Sequence, residues 1–193
     1  MASQNPKNDF QANILINAAG AWTEHIAKMA SVPPLGLIAY RRSIARLPVP
    51  GGYDPTSWPV IDEIGEAWYA KPDAGQLIVS PADEDPLPAQ DAWADDMILA
   101  EGLARFETMI KHPITRPSAN WAGLRTFAPD RALVIGSDSK LPSFFWLAGQ
   151  GGYGFQTAAA SSQLIADLVL GQRSDLPKDI QNRLNPNRFH QRA

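Results

Sequence analysis

The sequence contains no cysteine. Disulfides, thiolate metal sites, cysteine nucleophiles and cysteine-linked cofactors are thereby excluded. Histidine is scarce too. His25, His112 and His190 stand far apart, without the spacing of a ligand set, so no metal site is expected. No apolar run approaches the roughly 18 residues of a membrane span. The N-terminal stretch through Phe10 is polar and shows no signal-peptide pattern. Residues 1–12 therefore read as a disordered lead-in, and a cytoplasmic location is expected. Charge is thin as well, with charged residues at 19% and a net charge of -3. That balance gives no electrostatic reason for a nucleic-acid or anionic-membrane partner. What the chain does have is apolar content, 45%, enough for a folded core and too much for a disordered chain.

The organisation follows from pattern. Asn13 to Asn17 reads as a strand, and the continuous run Ile14, Leu15, Ile16 suits one buried on both faces, as in a parallel sheet. Gly20 permits a tight turn in AAGAW, Ala18 to Trp22, and a helix begins near Thr23 and stops before Pro33 and Pro34. Leu35 to Leu47 is a long β-prone stretch. Short strands are expected at Val60 to Glu63, Ala67 to Lys71 and Gln76 to Ser80, the last two joined by the turn Pro72-Asp73-Ala74-Gly75. Short turns between strands imply an antiparallel sheet. Asp83 to Gln90 reads as an acidic loop, and Asp91 to about Lys111 as a helix. Strands return at Ser118 to Phe127, Ala132 to Gly136 and Phe144 to Leu147. The glycine turn AGQGGYGF, Ala148 to Phe155, then feeds a helix over Gln156 to Leu170, with Gly171 closing it. The polar tail from Gln172 carries Pro177 and Pro186. A chain that leaves one layer for an antiparallel sheet and then returns suggests two pieces of one fold around an insertion.

Few residues offer chemistry. Gly149, Gly151, Gly152 and Gly154 sit between a strand and a helix, where glycine allows close backbone approach and a helix start offers free N–H groups. Such a turn suits a planar anionic or electron-rich group. The plainer alternative is a tight turn with no ligand, and GQGGYG lacks the Lys-Ser/Thr ending of a phosphate loop. In WAGLR, Trp121 to Arg125, alternation puts Gly123, Arg125 and Phe127 on one face and Ala122, Leu124 and Thr126 on the other. The fork of Arg125 can hold a carboxylate by two parallel hydrogen bonds. Alternatively it lies in solvent or pairs with Asp130. Arg41 and Arg42 must face opposite sides of their strand, one structural and one solvated unless a ligand takes it. Tyr69 opens a strand, where aromatics are more often core than binding wall; it stands beside Arg125 as a candidate substrate contact. Asp83, Glu84 and Asp85 read as solvated loop, as do Asp95 and Asp96 on a helix surface. No serine has a nucleophile-elbow context, so no catalytic side chain is assigned.

Taken together these segments carry a resemblance. INAAGAW (Ile16 to Trp22), WAGLR with APDR and VIG following, FWLAGQGGYGFQTAAA (Phe145 to Ala160) and NPNRF (Asn185 to Phe189) are similar, in order and spacing, to the D-amino-acid oxidase, glycine oxidase and sarcosine oxidase superfamily. The resemblance spans about Asn13 to Phe189. It implies FAD and oxidation of the carbon–nitrogen bond of an amino acid or N-alkyl amine, with hydride passing from the α-carbon to flavin N5. It implies Arg125 as the carboxylate anchor, Gly151, Gly152, Tyr153 and Gly154 near the flavin, and Ala18, Ala19 and Gly20 near the nucleotide half. Arg42 falls where the family has a basic residue on a strand leading toward the flavin. Without cysteine, any FAD would be non-covalent.

The implied fold class is mixed α/β and α+β. An antiparallel substrate-binding sheet with a helix, 35–127, is inserted between C-terminal pieces of a Rossmann-like FAD-binding domain, 13–34 and 128–193. The family's opening strand, GxGxxG turn and helix, with an acidic residue for the ribose, do not occur in this sequence. The chain is thus expected to be the C-terminal portion of such an oxidoreductase and inactive by itself. The alternative is a non-catalytic fragment or subunit that needs a separate FAD-binding chain. A generic α/β domain with coincidental motifs is the third reading. Half a fold should also expose the apolar side of Ile14 to Ile16, which is expected to self-associate or meet a partner chain.

Overall fold

The computed structural model of the chain describes residues 10–192. The expectation of a disordered lead-in falls largely on residues 1–9 and lies outside the described residues. In chain order the elements are β1 (Leu15–Asn17), a 3-10 turn (Gly20–Trp22), α1 (Thr23–Met29), β2 (Ile38–Leu47), β3 (Ile61–Asp62), β4 (Tyr69–Asp73), β5 (Gln76–Ser80), α2 (Asp96–Glu107), β6 (Ala119–Phe127), β7 (Val134–Ser137), β8 (Phe144–Ala148), α3 (Gly154–Leu170) and α4 (Lys178–Leu184). They form two compact units, one from Leu37 to Pro129 and one from the residues flanking it. The architecture is mixed α/β.

The unit from Leu37 to Pro129 is a five-stranded antiparallel sheet in the order β3-β4-β5-β2-β6. Its longest pairing joins β2 to β6, from Ile38↔Phe127 to Arg46↔Ala119. One face carries Ala45, Leu47, Ala70, Leu77 and Val79, and Leu99, Leu103 and Phe106 of α2 pack upon it with Trp68 to make the core. α2 starts at Asp96, five residues later than the sequence pattern indicates. Asp95 sets the start, because its side chain accepts from the N–H groups of Met97 and Ile98, satisfying two donors a helix start leaves open. Gly102 lets the helix approach closely, since a Cβ there would stand 2.4 Å from Pro81 Cβ.

The acidic loop after β5 is not the solvated segment its composition suggests. It runs along β2, with Arg41 N–H donating to Asp85 C=O at 2.9 Å and Leu87 N–H to Ala39 C=O at 2.9 Å. Asp83 is buried and accepts from Ser43 N–H at 2.6 Å, Ser43 Oγ at 2.8 Å and Arg41 Nε at 3.2 Å. Arg41 also donates to Asp85 at 2.6 Å. Burial alone would lower the Arg41 pKa; the hydrogen bonds to Asp83 and Asp85 outweigh it and raise the value. Asp83 is drawn out of water because β2 offers it a cation and the two donors of Ser43, whereas the Asp85 side chain stays half exposed.

The other unit is a three-stranded sheet in the order β1-β8-β7, with β1 parallel to β8 and β8 antiparallel to β7. α3 covers one face, where Ile135 and Phe145 meet Leu164 and Ile165. The strand expected to be buried on both faces is an edge strand instead. Ile14, Leu15 and Ile16 are 37%, 45% and 45% exposed, because β1 has a neighbour on one side alone among the described residues. The polar tail is ordered by α4 and by Arg188, which donates to both oxygens of Asp130 at 2.8 and 3.0 Å and to Ala132 C=O at 3.1 Å. Gly136, at φ 144°, accommodates the tail as well, for a Cβ there would meet Pro186 Cδ at 3.1 Å.

Candidate functional site

Antiparallel pairing puts directly opposed residues on the same face of a sheet. Arg125 opposes Tyr40, Gly123 opposes Arg42, and Trp121 opposes Ile44. The row continues from Arg46 through Ile78 to Lys71, and from Ser80 to Tyr69. Arg42, Tyr69 and Arg125 therefore share one face of the five-stranded sheet, the face opposite α2. Side-chain contacts agree. The Arg42 guanidinium lies 6.0 Å from the Tyr69 ring centroid, and that of Arg46 lies 5.3 Å from the Trp121 ring centroid. This face is a bed of aromatic rings and guanidinium groups. Arg46 and Trp121 were not singled out from sequence, although both follow from alternation along β2 and β6.

The cations on this face differ in what holds them. Arg46 pairs with Asp73 at 2.7 Å, and Arg42 with Glu84 at 3.0 Å. Arg125 is half-buried and has no carboxylate partner among the described residues. Its one polar contact is a long one, Nη1 to Leu124 C=O at 3.5 Å. Asp130, the partner that sequence left open for Arg125, is held within its own unit by Arg188, whose hydrogen bond lowers its pKa. Gly123 makes room for the guanidinium. A Cβ there would stand 3.1 Å from Arg125 Nη1.

In the other unit the two remaining groups of candidate residues leave the carboxyl ends of neighbouring parallel strands. β1 and β8 pair in register through Asn17↔Trp146, and each then turns into a helix. Ligands of parallel sheets gather at such carboxyl ends. After β1, buried Asn17 shapes the turn by donating to Thr23 C=O at 2.9 Å and accepting from Ala19 N–H at 3.3 Å. Gly20 adopts φ 57°, and Ala18 and Gly20 are exposed. After β8, Gly149 and Gly151 take φ 72° and 51°, and Tyr153 N–H donates back to Gln150 C=O at 2.8 Å. The N-cap residue of α3, Tyr153, places no side-chain acceptor on the first turn, and a Cβ on Gly152 would meet nothing within 4 Å. The helix start thus receives no side-chain cap from Tyr153 and carries the partial positive charge of a helix N-terminus. Asn17 was not foreseen as the residue that shapes the first turn. Its position at the end of the strand, before AAG, was the available signal.

Among the described residues no group of three acidic or histidine side chains could hold a metal ion. Nor, among the described residues, is any helix long and apolar enough to cross a membrane.

The family model for FAD dependent oxidoreductases, DAO, matches residues 3–168. The chain belongs to this family. A relative from Bacillus subtilis, described as the uncharacterized oxidoreductase YurR, is 25% identical over 183 residues, covering 90% of this chain and 46% of its own length. Among solved structures, glycine oxidase from Geobacillus kaustophilus superposes with a TM-score of 0.74 at 18% identity, over 93% of this chain and 46% of that one. L-proline dehydrogenase from P. horikoshii gives a TM-score of 0.74 at 22% identity, over 92% of this chain and 47% of that one. Both share the fold. The chain spans about half the length of the relatives it matches.

Proposed function

We propose that this DAO-family chain is the substrate-binding and flavin-contacting portion of an FAD-dependent oxidoreductase acting on the carbon–nitrogen bond of an amino acid or N-alkyl amine. The observation that carries the reading is Arg125, a half-buried guanidinium with no carboxylate of its own, on a face cleared by Gly123 and lined by Tyr69 and Arg42. A half-buried guanidinium without a counter-charge is free to pair, and a substrate carboxylate would do so by two parallel charge-assisted hydrogen bonds. Tyr69 would wall the substrate beside it. Arg42, half satisfied by Glu84, keeps an Nε with no partner and is the second cation on the face.

The residues after β1 and β8 suit FAD on physical grounds. Two turns leave the carboxyl ends of adjacent parallel strands, and the second opens a helix whose N-cap side chain accepts nothing from its first turn. Ala18, Ala19 and Gly20 would approach the nucleotide half. The backbone of Gly151, Gly152, Tyr153 and Gly154 would lie against the ring, and the partial positive charge of the helix start would favour negative charge there. Bound FAD supplies the hydride acceptor. The chain's own residues orient the substrate, hold its carboxylate and stabilise charge, with no side chain assigned as acid or base. With no cysteine in the sequence, a cysteinyl flavin bond is ruled out and attachment is taken as non-covalent. A cytoplasmic setting belongs to the same proposal.

Mixing the chain with FAD and separating free flavin by gel filtration tests this. The expected result is flavin absorbance that co-elutes and shifts saturably with an α-amino carboxylate, a shift abolished in Arg125→Met. Retained flavin with the same response in Arg125→Met would overturn the anchor role. A second reading has one observation behind it, the exposed apolar edge at Ile14 to Ile16. There the chain needs a separate FAD-binding chain or a second copy of itself, and it stays colourless after FAD is added.

A further inference from the structure

A cavity of about 330 Å³ lies within the Leu37-to-Pro129 unit, on the α2 side of the sheet and so on the opposite face from Arg125. Ala70 and Leu77 form its floor, and Trp58, Ile61 and Phe106 its walls. A space of this size falls in the range of small-ligand pockets, roughly 300–1,000 Å³.

The mouth is constructed rather than accidental. Tyr53 Oη and His112 Nε2 lie 3.2 Å apart, with ring centroids 5.6 Å apart. They close over Gly51, at φ 76°, where a Cβ would stand 2.6 Å from Tyr53 and 2.8 Å from His112. Lys111 is the one charged side chain that borders the cavity among the described residues, with His112 beside it as a further hydrogen-bonding group. Lys111 has no carboxylate partner among the described residues. An apolar chamber with a cationic rim calls for a ligand that is apolar in body and anionic at one end.

We propose that this cavity binds a small apolar carboxylate, of aryl-alkyl or branched-alkyl type, with its body between Trp58 and Phe106 and its carboxylate toward Lys111 and His112. The site is separate from the proposed substrate face and would stand even if that reading failed.

Phenylbutyrate and its neutral amide are the probes, titrated calorimetrically into the full chain. The expected result is saturable one-to-one binding of the acid below about 1 mM. Lys111→Gln, at an exposed position, weakens the acid about three- to fivefold and leaves the amide unchanged. Ile61→Trp, which fills the chamber from a half-exposed position, weakens both about tenfold or more. Arg125→Met binds as the parent does. Equal affinity for acid and amide would overturn the ligand class. Absence of saturable binding, unchanged affinity in Ile61→Trp with an unchanged melting curve, or loss in Arg125→Met would overturn the site.

Discussion

The two faces of the five-stranded sheet show how one strand serves two purposes. Arg41 and Arg42 are adjacent on β2 and point to opposite sides. On the α2 side, Arg41 is locked by Asp83 and Asp85 beside a core of Leu47, Val79, Leu103 and Phe106. On the other side, Arg42, Arg46 and Arg125 lie among Tyr69 and Trp121, each held less completely, with Arg125 held least. One face spends its charges on the fold, and the other keeps them in reserve. Arginine content alone does not distinguish the two. The company each arginine keeps does.

That contrast can be broken by substitution. The largest effect is expected from Trp68→Ala, which empties an aromatic contact with Phe106 at 5.1 Å between centroids and should cost roughly 3–5 kcal/mol in urea unfolding. Next comes Asp83→Ala, which strips Arg41 and Ser43 of their shared acceptor and should cost about 1.5–3 kcal/mol. Its counterpart across the sheet, Glu84→Ala, should cost only about 0–1 kcal/mol. Equal losses at these two positions would erase the distinction between the faces. Gly102→Ala gains about 1 kcal/mol of helix propensity. It nonetheless should destabilise by about 1–3 kcal/mol, because the new methyl would meet Pro81.

A smaller, pH-dependent effect belongs to the other unit. The hydrogen bond from Arg188 holds the Asp130 carboxyl below its ordinary value. Its contribution is therefore present above the unfolded aspartate pKa and lost as pH falls through the lowered folded value. Urea midpoints measured down through the acidic range should show that loss in the parent, and Asp130→Asn should flatten this part of the profile.

Much of the sheet was legible in the sequence, since alternation along WAGLRTF fixed which residues accompany Arg125, and the turn at Pro72 to Gly75 fixed the β4–β5 hairpin. Three features were not legible, each for a physical reason. Asp83 to Asp85 looked solvated because composition does not reveal that a loop will run beside a strand bearing Arg41. Ile14 to Ile16 looked doubly buried because an apolar run reports an affinity for neighbours, and β1 has just one. The helix in the tail went unread because α4 is short, and the segment after it is held by a distant pair, Asp130 with Arg188. Of the candidate site, residue identity and facing were readable. The lack of a carboxylate for Arg125 was not, since it depends on which carboxylates of the sheet Arg42 and Arg46 have already taken.

The most direct test is an NMR titration of the guanidinium Nε–H resonances in the nitrogen-labelled chain, with the Arg125 signal assigned by its loss in Arg125→Met. An α-amino carboxylate should shift that signal saturably, the matching amide should not, and the Arg41 signal should stay in place. A carboxylate that leaves Arg125 unmoved, or that moves Arg41 as much, would contradict the account.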